Sequence, residues 1–142
     1  MKNVLEKIVN DKKQSLELIK KDKSLDVLEK NIKDQDFYNF KKAIQKNKGV
    51  SIISEIKKAS PSAGILIDNF NHLEVAKMYV ENGATCLSVL TEEKYFMGKL
   101  EHIQDIKKKF KIPILAKDFF IDPFQVPLAK SFGSDCILII IA

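Results

Sequence analysis

The sequence predicts an α/β fold of parallel β/α units, about the first four units of an eight-stranded (βα)8 barrel, preceded by a helical extension. Two observations predict it. From Gly49 onward, short apolar segments alternate with helical stretches, the layout of parallel strands joined by right-handed crossovers. Two of those segments, residues 53–62 and 113–120, run from apolar residues into charge, with Glu55 and Lys57 in the first and Lys117 in the second. Charges at buried strand ends are costly unless they meet a ligand, and an active site at the C-terminal rim of a parallel barrel would leave that pattern in a sequence.

The first third of the chain has a different character. Val4, Leu5, Ile8 and Val9, then Leu16, Leu18 and Ile19, then Leu25, Leu28 and Ile32, and later Phe37, Phe40 and Ile44 recur mostly at spacings of three and four, as on amphipathic helices. No glycine occurs before Gly49. Residues 1–48 therefore form a helical extension and residues 49–142 the N-terminal half of a barrel. Within that half, strands are expected over Val50 to Ile56, Thr85 to Leu90, Ile112 to Leu115 and Cys136 to Ile141. Helices are expected from about Asn71 to Asn82, Leu100 to Lys109 and Pro123 to Phe132, two of them stopped by Gly83 and Gly133. A helix beginning at Pro123 would set Pro127 where a backbone donor is needed, whereas a start near Gln125 puts it in the tolerant first turn.

A length of 142 residues with 45% hydrophobic content suits one folded domain with a real core. Of the 24 lysines, 13 lie in residues 1–48 against 8 acids, so the net charge of +5 belongs to the helical extension. The chain has no arginine, which weighs against nucleic-acid recognition, because that leans on the bidentate guanidinium fork. Lysines mixed with acids at helical spacing read as a solvated face. Cys86 and Cys136 stand in apolar runs and read as small buried hydrophobes. The charged N-terminus lacks an apolar signal core and the longest apolar run, Cys136 to Ala142, is far below a membrane span, so a soluble cytoplasmic chain is expected.

Strand parity gathers the chemistry. Ile53, Glu55 and Lys57 share one face of the first strand, and Leu115, Lys117 and Phe119 share one face of the third, so two lysines and a glutamate can converge on one pocket. Converging lysines in a dry pocket depress each other's pKa, which suits one of them to general acid work and the other to holding an anion. An ordinary ion pair of Glu55 with either lysine is the competing reading, and Lys58, of opposite parity, should face solvent. Residues 60–64, Ser-Pro-Ser-Ala-Gly, form a loop able to present donors to an anion or simply to turn the chain. Residues 94–98, Lys-Tyr-Phe-Met-Gly, offer aromatic faces for an aromatic ligand or for the core. His72 and His102 stand apart in sequence without ligand spacing, and no metal site is expected.

Glu55-Ile-Lys57-Lys-Ala-Ser60-Pro-Ser, residues 87–98, Pro113-Ile-Leu-Ala-Lys117-Asp-Phe119, Asp122-Pro-Phe-Gln125 and Gly133-Ser-Asp-Cys-Ile-Leu138 together closely resemble indole-3-glycerol-phosphate synthase, a TIM-barrel enzyme of tryptophan biosynthesis. The resemblance extends through the helical prefix. It implies a carboxy-lyase that closes the ring of 1-(2-carboxyphenylamino)-1-deoxyribulose 5-phosphate with loss of carbon dioxide and water, without metal or organic cofactor. It also implies roles: Lys117 as general acid at the ribulose carbonyl, Lys57 binding the anionic substrate, Glu55 orienting both, Ser60 contacting an anion, and Phe96, Phe119 and Leu138 packing on the anthranilate ring. The family's second glutamate, its asparagine and arginine, and its phosphate loops have no counterpart in these residues, so the chain resembles an N-terminal part with little expected turnover alone. The alternative is a non-catalytic half-barrel that pairs with itself or with a complementary C-terminal half. Phosphoribosylanthranilate isomerase, another barrel enzyme on a phosphorylated sugar, lacks the helical prefix and the paired lysine strands.

Overall fold

A computed structural model of the chain describes residues 4–141. Three helices come first: α1 (Val4–Asp22), α2 (Leu25–Lys33) and α3 (Phe40–Lys46). The apolar groups of residues 4–9 and 16–19 share one long helix, because nothing between them breaks it, and Ile8 and Leu16 are its buried contacts. Ser24 opens α2, its Oγ accepting from Val27 N, and Asn39 opens α3 by accepting from Lys42 N.

The β/α part follows as β1 (Ile53–Ile56), a two-residue hairpin of β2 (Ala59–Ser60) and β3 (Gly64–Ile65), α4 (His72–Glu81), β4 (Cys86–Leu90), α5 (Leu100–Lys109), β5 (Ile114–Lys117), α6 (Gln125–Ser131) and β6 (Cys136–Ile137). The strands β1, β4, β5 and β6 lie side by side in that order, all parallel. Four parallel strands in sequence order with helices between them make the first half of a (βα)8 barrel. One face of this sheet, with Ile56, Leu87, Val89, Ile114 and Ala116, packs against Ala76 of α4, Ile103 and Ile106 of α5 and Ala129 of α6 to form the core. No helix among the described residues is long and apolar enough to cross a membrane.

Several boundaries differ from the sequence reading, each for a local reason. The first strand begins at Ile53 and not at Val50, since Val50 is 85% exposed and Ile52 gives its N–H to the Thr85 hydroxyl. The third begins at Ile114 because Pro113 has no N–H to donate, although its carbonyl accepts from Leu87 N at 2.9 Å, and it extends to Lys117. The fourth ends at Ile137, and Ile139 to Ile141 run on exposed; Ala142 lies outside the described residues. The helix start at Gln125 puts Pro127 in the first turn. Gly83 and Gly133 close α4 and α6 with φ of 87° and 96°. Residues 60–64 are a small hairpin where a loop was expected, and Lys58 is half-buried. His72 and His102 are neighbours in space, their rings stacked at 4.2 Å where α4 meets α5, with His72 Nε2 3.1 Å from Asp105. Burial, and then the charge of His72, push His102 down to about 4.

The helical extension is fastened at both ends of the sheet. At the N-terminal end the Asp135 carboxylate, fully buried, accepts from Tyr38 N at 2.6 Å, Ile114 N at 2.7 Å and Lys107 Nζ at 2.8 Å. Lys107 also lies 4.1 Å from the Tyr38 ring centre, and its side chain is 6% exposed. Elsewhere α2 packs on α6. Burial lowers the Lys107 pKa, and its bonds to the Asp135 carboxylate oppose that shift. Replacing Asp135 by alanine strands a buried ammonium and two backbone donors at once. Asp135→Ala is expected to lower unfolding free energy by about 3–5 kcal/mol, read from urea denaturation.

Candidate functional site

Register is what assembles the site. The face of the sheet away from α4 to α6 carries Glu55, Ser88, Leu115 and Cys136 in one hydrogen-bonded row. The next row toward the C-terminal ends holds Leu90 and Lys117, and continuing the β5–β6 register sets Leu138 beside Lys117. Lys57 stands one residue beyond β1 with the parity of Glu55. The structure therefore brings together the three charged residues that parity had grouped.

Glu55 sits between the lysines and divides its oxygens. Oε1 meets Lys57 Nζ at 2.8 Å and Oε2 meets Lys117 Nζ at 2.5 Å. Burial alone would raise the Glu55 pKa, but the hydrogen bonds from Lys117 and Lys57, together with their charges, outweigh it and hold the carboxyl below its ordinary value of 4.5. The expected convergence of two lysines and a glutamate thus takes the form of an ion-paired cluster in which each ammonium faces the carboxylate, Glu55 pairing with both lysines. All three side chains are about a third exposed, so an incoming anion can reach them.

An aromatic wall stands beside the cluster's strands. Phe96, in the loop after β4, and Phe119, two residues past Lys117, lie with ring centres 6.1 Å apart, tilted by 44°. Their loops are built by buried polar groups. Glu92, 4% exposed, accepts from the backbone N–H groups of Lys94, Tyr95 and Phe96, which curls residues 92–96 into a tight turn. Met97 then adopts φ 53°, and Gly98 passes so close to β4 that a Cβ there would fall 2.2 Å from the Leu90 carbonyl oxygen. After β5, Gln125 ties residues 119–122 by accepting from Ile121 N and Asp122 N and donating to the Phe119 carbonyl.

The other two expected site residues are placed less tightly. Ser60 uses its hydroxyl within its own hairpin, accepting from Ala63 N at 3.2 Å and lying 3.5 Å from the Ser62 hydroxyl. Leu138 is half-buried just beyond β6. Cys86 and Cys136 face the same side as Glu55, and burial raises both thiols, Cys136 to about 11, so neither is a thiolate near neutral pH. Among the described residues no group of three or more His, Cys, Asp and Glu side chains could hold a metal ion.

Sequence reasoning missed the second row of polar groups: Asp11, Lys12, Thr91, Glu92 and Asp118. Thr91 Oγ1 donates to Asp118 Oδ2 at 2.8 Å, and Lys12 Nζ reaches Asp118 Oδ1 at 2.7 Å. Lys94 Nζ meets Asp11 Oδ2 at 2.7 Å, and the Tyr95 hydroxyl donates to the same oxygen. Donating to the Asp11 carboxylate pushes the Tyr95 hydroxyl up to about 12. The polar run Thr-Glu-Glu at the end of β4 was a legible signal for Glu92. Nothing in the local pattern tied residues 11 and 12 to residues more than 80 positions away. A cleft of about 170 Å³ lies between α1 and the loops after β4 and β5, bounded by Lys12, Leu16, Glu92, Asp118 and Phe120, and none of the Glu55 cluster lines it.

Comparison with known proteins bears on the same residues. The sequence profile of the family described as indole-3-glycerol phosphate synthase matches residues 5–142. An indole-3-glycerol phosphate synthase of Legionella pneumophila (strain Lens) is 42% identical over 142 residues, covering 100% of this chain and 55% of its own. One from Thermoanaerobacter pseudethanolicus is 42% identical over 98% of this chain and 53% of its own. The chloroplastic indole-3-glycerol phosphate synthase of Arabidopsis thaliana is 41% identical over 99% of this chain and 37% of its own. The chain spans about half the length, or less, of these relatives. With an unbroken match from the first helix through the last strand, the chain belongs to the indole-3-glycerol phosphate synthase family.

Proposed function

We propose that this chain supplies the lysine and glutamate part of an indole-3-glycerol-phosphate synthase active site, acting on 1-(2-carboxyphenylamino)-1-deoxyribulose 5-phosphate. The observation that carries the proposal is the Glu55 carboxylate joined to Lys57 and Lys117 at two strand ends, with the paired Phe96 and Phe119 rings on the segments that follow β4 and β5. Residues 1–48 form its helical extension and residues 49–142 its catalytic half-barrel, in the cytoplasm.

The chemistry follows from the positions. The anthranilate ring rests against Phe96, Phe119 and Leu138. Lys117 donates a proton to the ribulose carbonyl oxygen as the ring carbon bearing the carboxylate attacks the carbonyl carbon. The new carbon–carbon bond lets the carboxylate leave as carbon dioxide, its bonding electrons restoring the aromatic ring. The hydroxyl formed from the carbonyl then takes up a proton and departs as water, and loss of a proton from the methylene carbon beside the nitrogen forms the ring double bond that completes the indole, the nitrogen keeping its hydrogen. Lys57 pairs with the substrate's negative charge, with Ser60 as a further donor, and Glu55 holds both ammonium groups at the rim until substrate replaces one contact.

A second reading has an observation of its own. In the described sheet β1 and β6 are both edge strands, and Ile139, Ile140 and Ile141 follow β6 exposed, a surface that suits a second copy or a complementary half. Native mass measurement separates the two: that reading expects a species of twice this chain's mass or a stable complex with a C-terminal half.

In the protein that carries this chain, Lys117→Ala is expected to cut turnover by about 10² or more with little change in folding, since general acid catalysis contributes roughly that factor. Lys57→Met should weaken substrate binding roughly tenfold, a loss of about 1.4 kcal/mol. Indole fluorescence of the product reads both, and unchanged turnover in the first variant removes Lys117 from its role. Glu55 gives a pH test. Its folded pKa lies below 4.5, so the stability it contributes is complete above that pH and drains as pH falls through the folded value. Glu55→Gln should therefore destabilise the fold at pH 7 and progressively less as pH falls below 4.5 through the folded value, measured by urea midpoints along a pH series.

A further inference from the structure

Two adjacent residues of α1 grip different loops of the rim. Asp11 takes Lys94 and Tyr95, both in the loop after β4 and next to Phe96. Lys12 takes Asp118, which lies between Lys117 and Phe119. The side chains of Lys12 and Asp118 are 12% and 10% exposed, so this pair is shielded from water and salt as a surface pair is not. Asp118 accepts in addition from Thr91 Oγ1 at 2.8 Å and from Phe119 N at 2.8 Å. A carboxylate fixed by donors on three elements has one orientation, and it carries the neighbouring backbone with it.

Close packing does only part of this work, through the buried Leu16. The cleft of about 170 Å³ separates α1 from the rim at this point, with Leu16 and Ile19 on one side and Phe120 and Leu128 on the other. Beside the cleft, the polar ties of Asp11 and Lys12 bridge α1 to the rim. Gln125 supplies the remaining tether of the Phe119 carbonyl, from below.

We infer that Asp11 and Lys12 together form a clamp that sets the separation of the Phe96 and Phe119 rings and the aim of Lys117, with Lys12, acting through Asp118, as its main positioning residue. What the rings and the ammonium receive rests on the proposed function; the hold on the rings does not. Opposite charges at consecutive positions splay along different directions from one helix, so a single element fixes two loops relative to each other. The extension thereby takes part in the site without touching a ligand.

The test labels the protein with 4-fluorophenylalanine and assigns the Phe96 and Phe119 resonances with Phe96→Leu and Phe119→Leu. Three further variants are compared: Lys12→Met, Lys12→Arg, and Lys20→Met, which breaks the 2.6 Å pair of the same helix with Asp122 and leaves Asp118 paired. The Phe119 resonance should move in Lys12→Met, return in Lys12→Arg, and move less in Lys20→Met. Turnover in Lys12→Met should fall roughly tenfold or more with KM little changed, as misplacement of a reacting group by about 1 Å does. A Phe119 signal that stays put in Lys12→Met, or moves as far in Lys20→Met, overturns the clamp. A moved signal with unchanged turnover overturns the aiming of Lys117. If the parent protein forms no indole-3-glycerol phosphate, the functional reading falls while the fluorine spectra still decide the clamp.

Discussion

The parallel hydrogen-bond ladder is the constraint on which the rest of the site depends. Side chains along a strand alternate faces, so one residue of slip between β1 and β4 or β4 and β5 would send Glu55 or Lys117 into the helix-packed core. The apolar face prevents the slip. Ile56, Val89 and Ala116 form one buried row, and a slip that exchanged Ile56 for Glu55 or Lys57, or Ala116 for Lys117, would bury an unpaired charge. Core packing and site assembly are two faces of the same register. The ion pairs at the rim then orient what the ladder has placed.

The parts legible in the sequence are those governed by short-range periodicity. The 2-residue alternation in residues 53–57 and 115–119 grouped Glu55, Lys57 and Lys117, and the spacing of three and four drew the helices. Glycine marked where α4 and α6 stop. The strand ends were less legible because they depend on partners: Pro113 delays β5, and β6 is short although apolar residues continue after it. The division of the Glu55 carboxylate between two lysines was also out of reach, since alternation gives a face and not a distance.

Least legible were the long-range polar ties. Asp135 gathers Tyr38, Lys107 and Ile114, and Lys12 meets Asp118, each across a separation that no local pattern records. Lysines and acids alternating on α1 look like an ordinary solvated face, and most of them are. The two that matter are distinguished only by the surface they lie against. His72 and His102 make the same point in the helix layer, being 30 residues apart in sequence and stacked in space.

The docking of α2 on α6 has a consequence in time. Residues 25–33 lie against residues 125–131, so the first helices leave the ribosome about 100 residues before their binding surface exists. At roughly 5–20 residues per second, that is an interval of seconds in which two amphipathic helices hold their apolar stripes in water. Alone they are marginal, since helices of this length draw most of their stability from packing. The charged residues on their open faces, within a segment of 13 lysines against 8 acids over residues 1–48, keep such a waiting piece soluble until residues 125–131 are made.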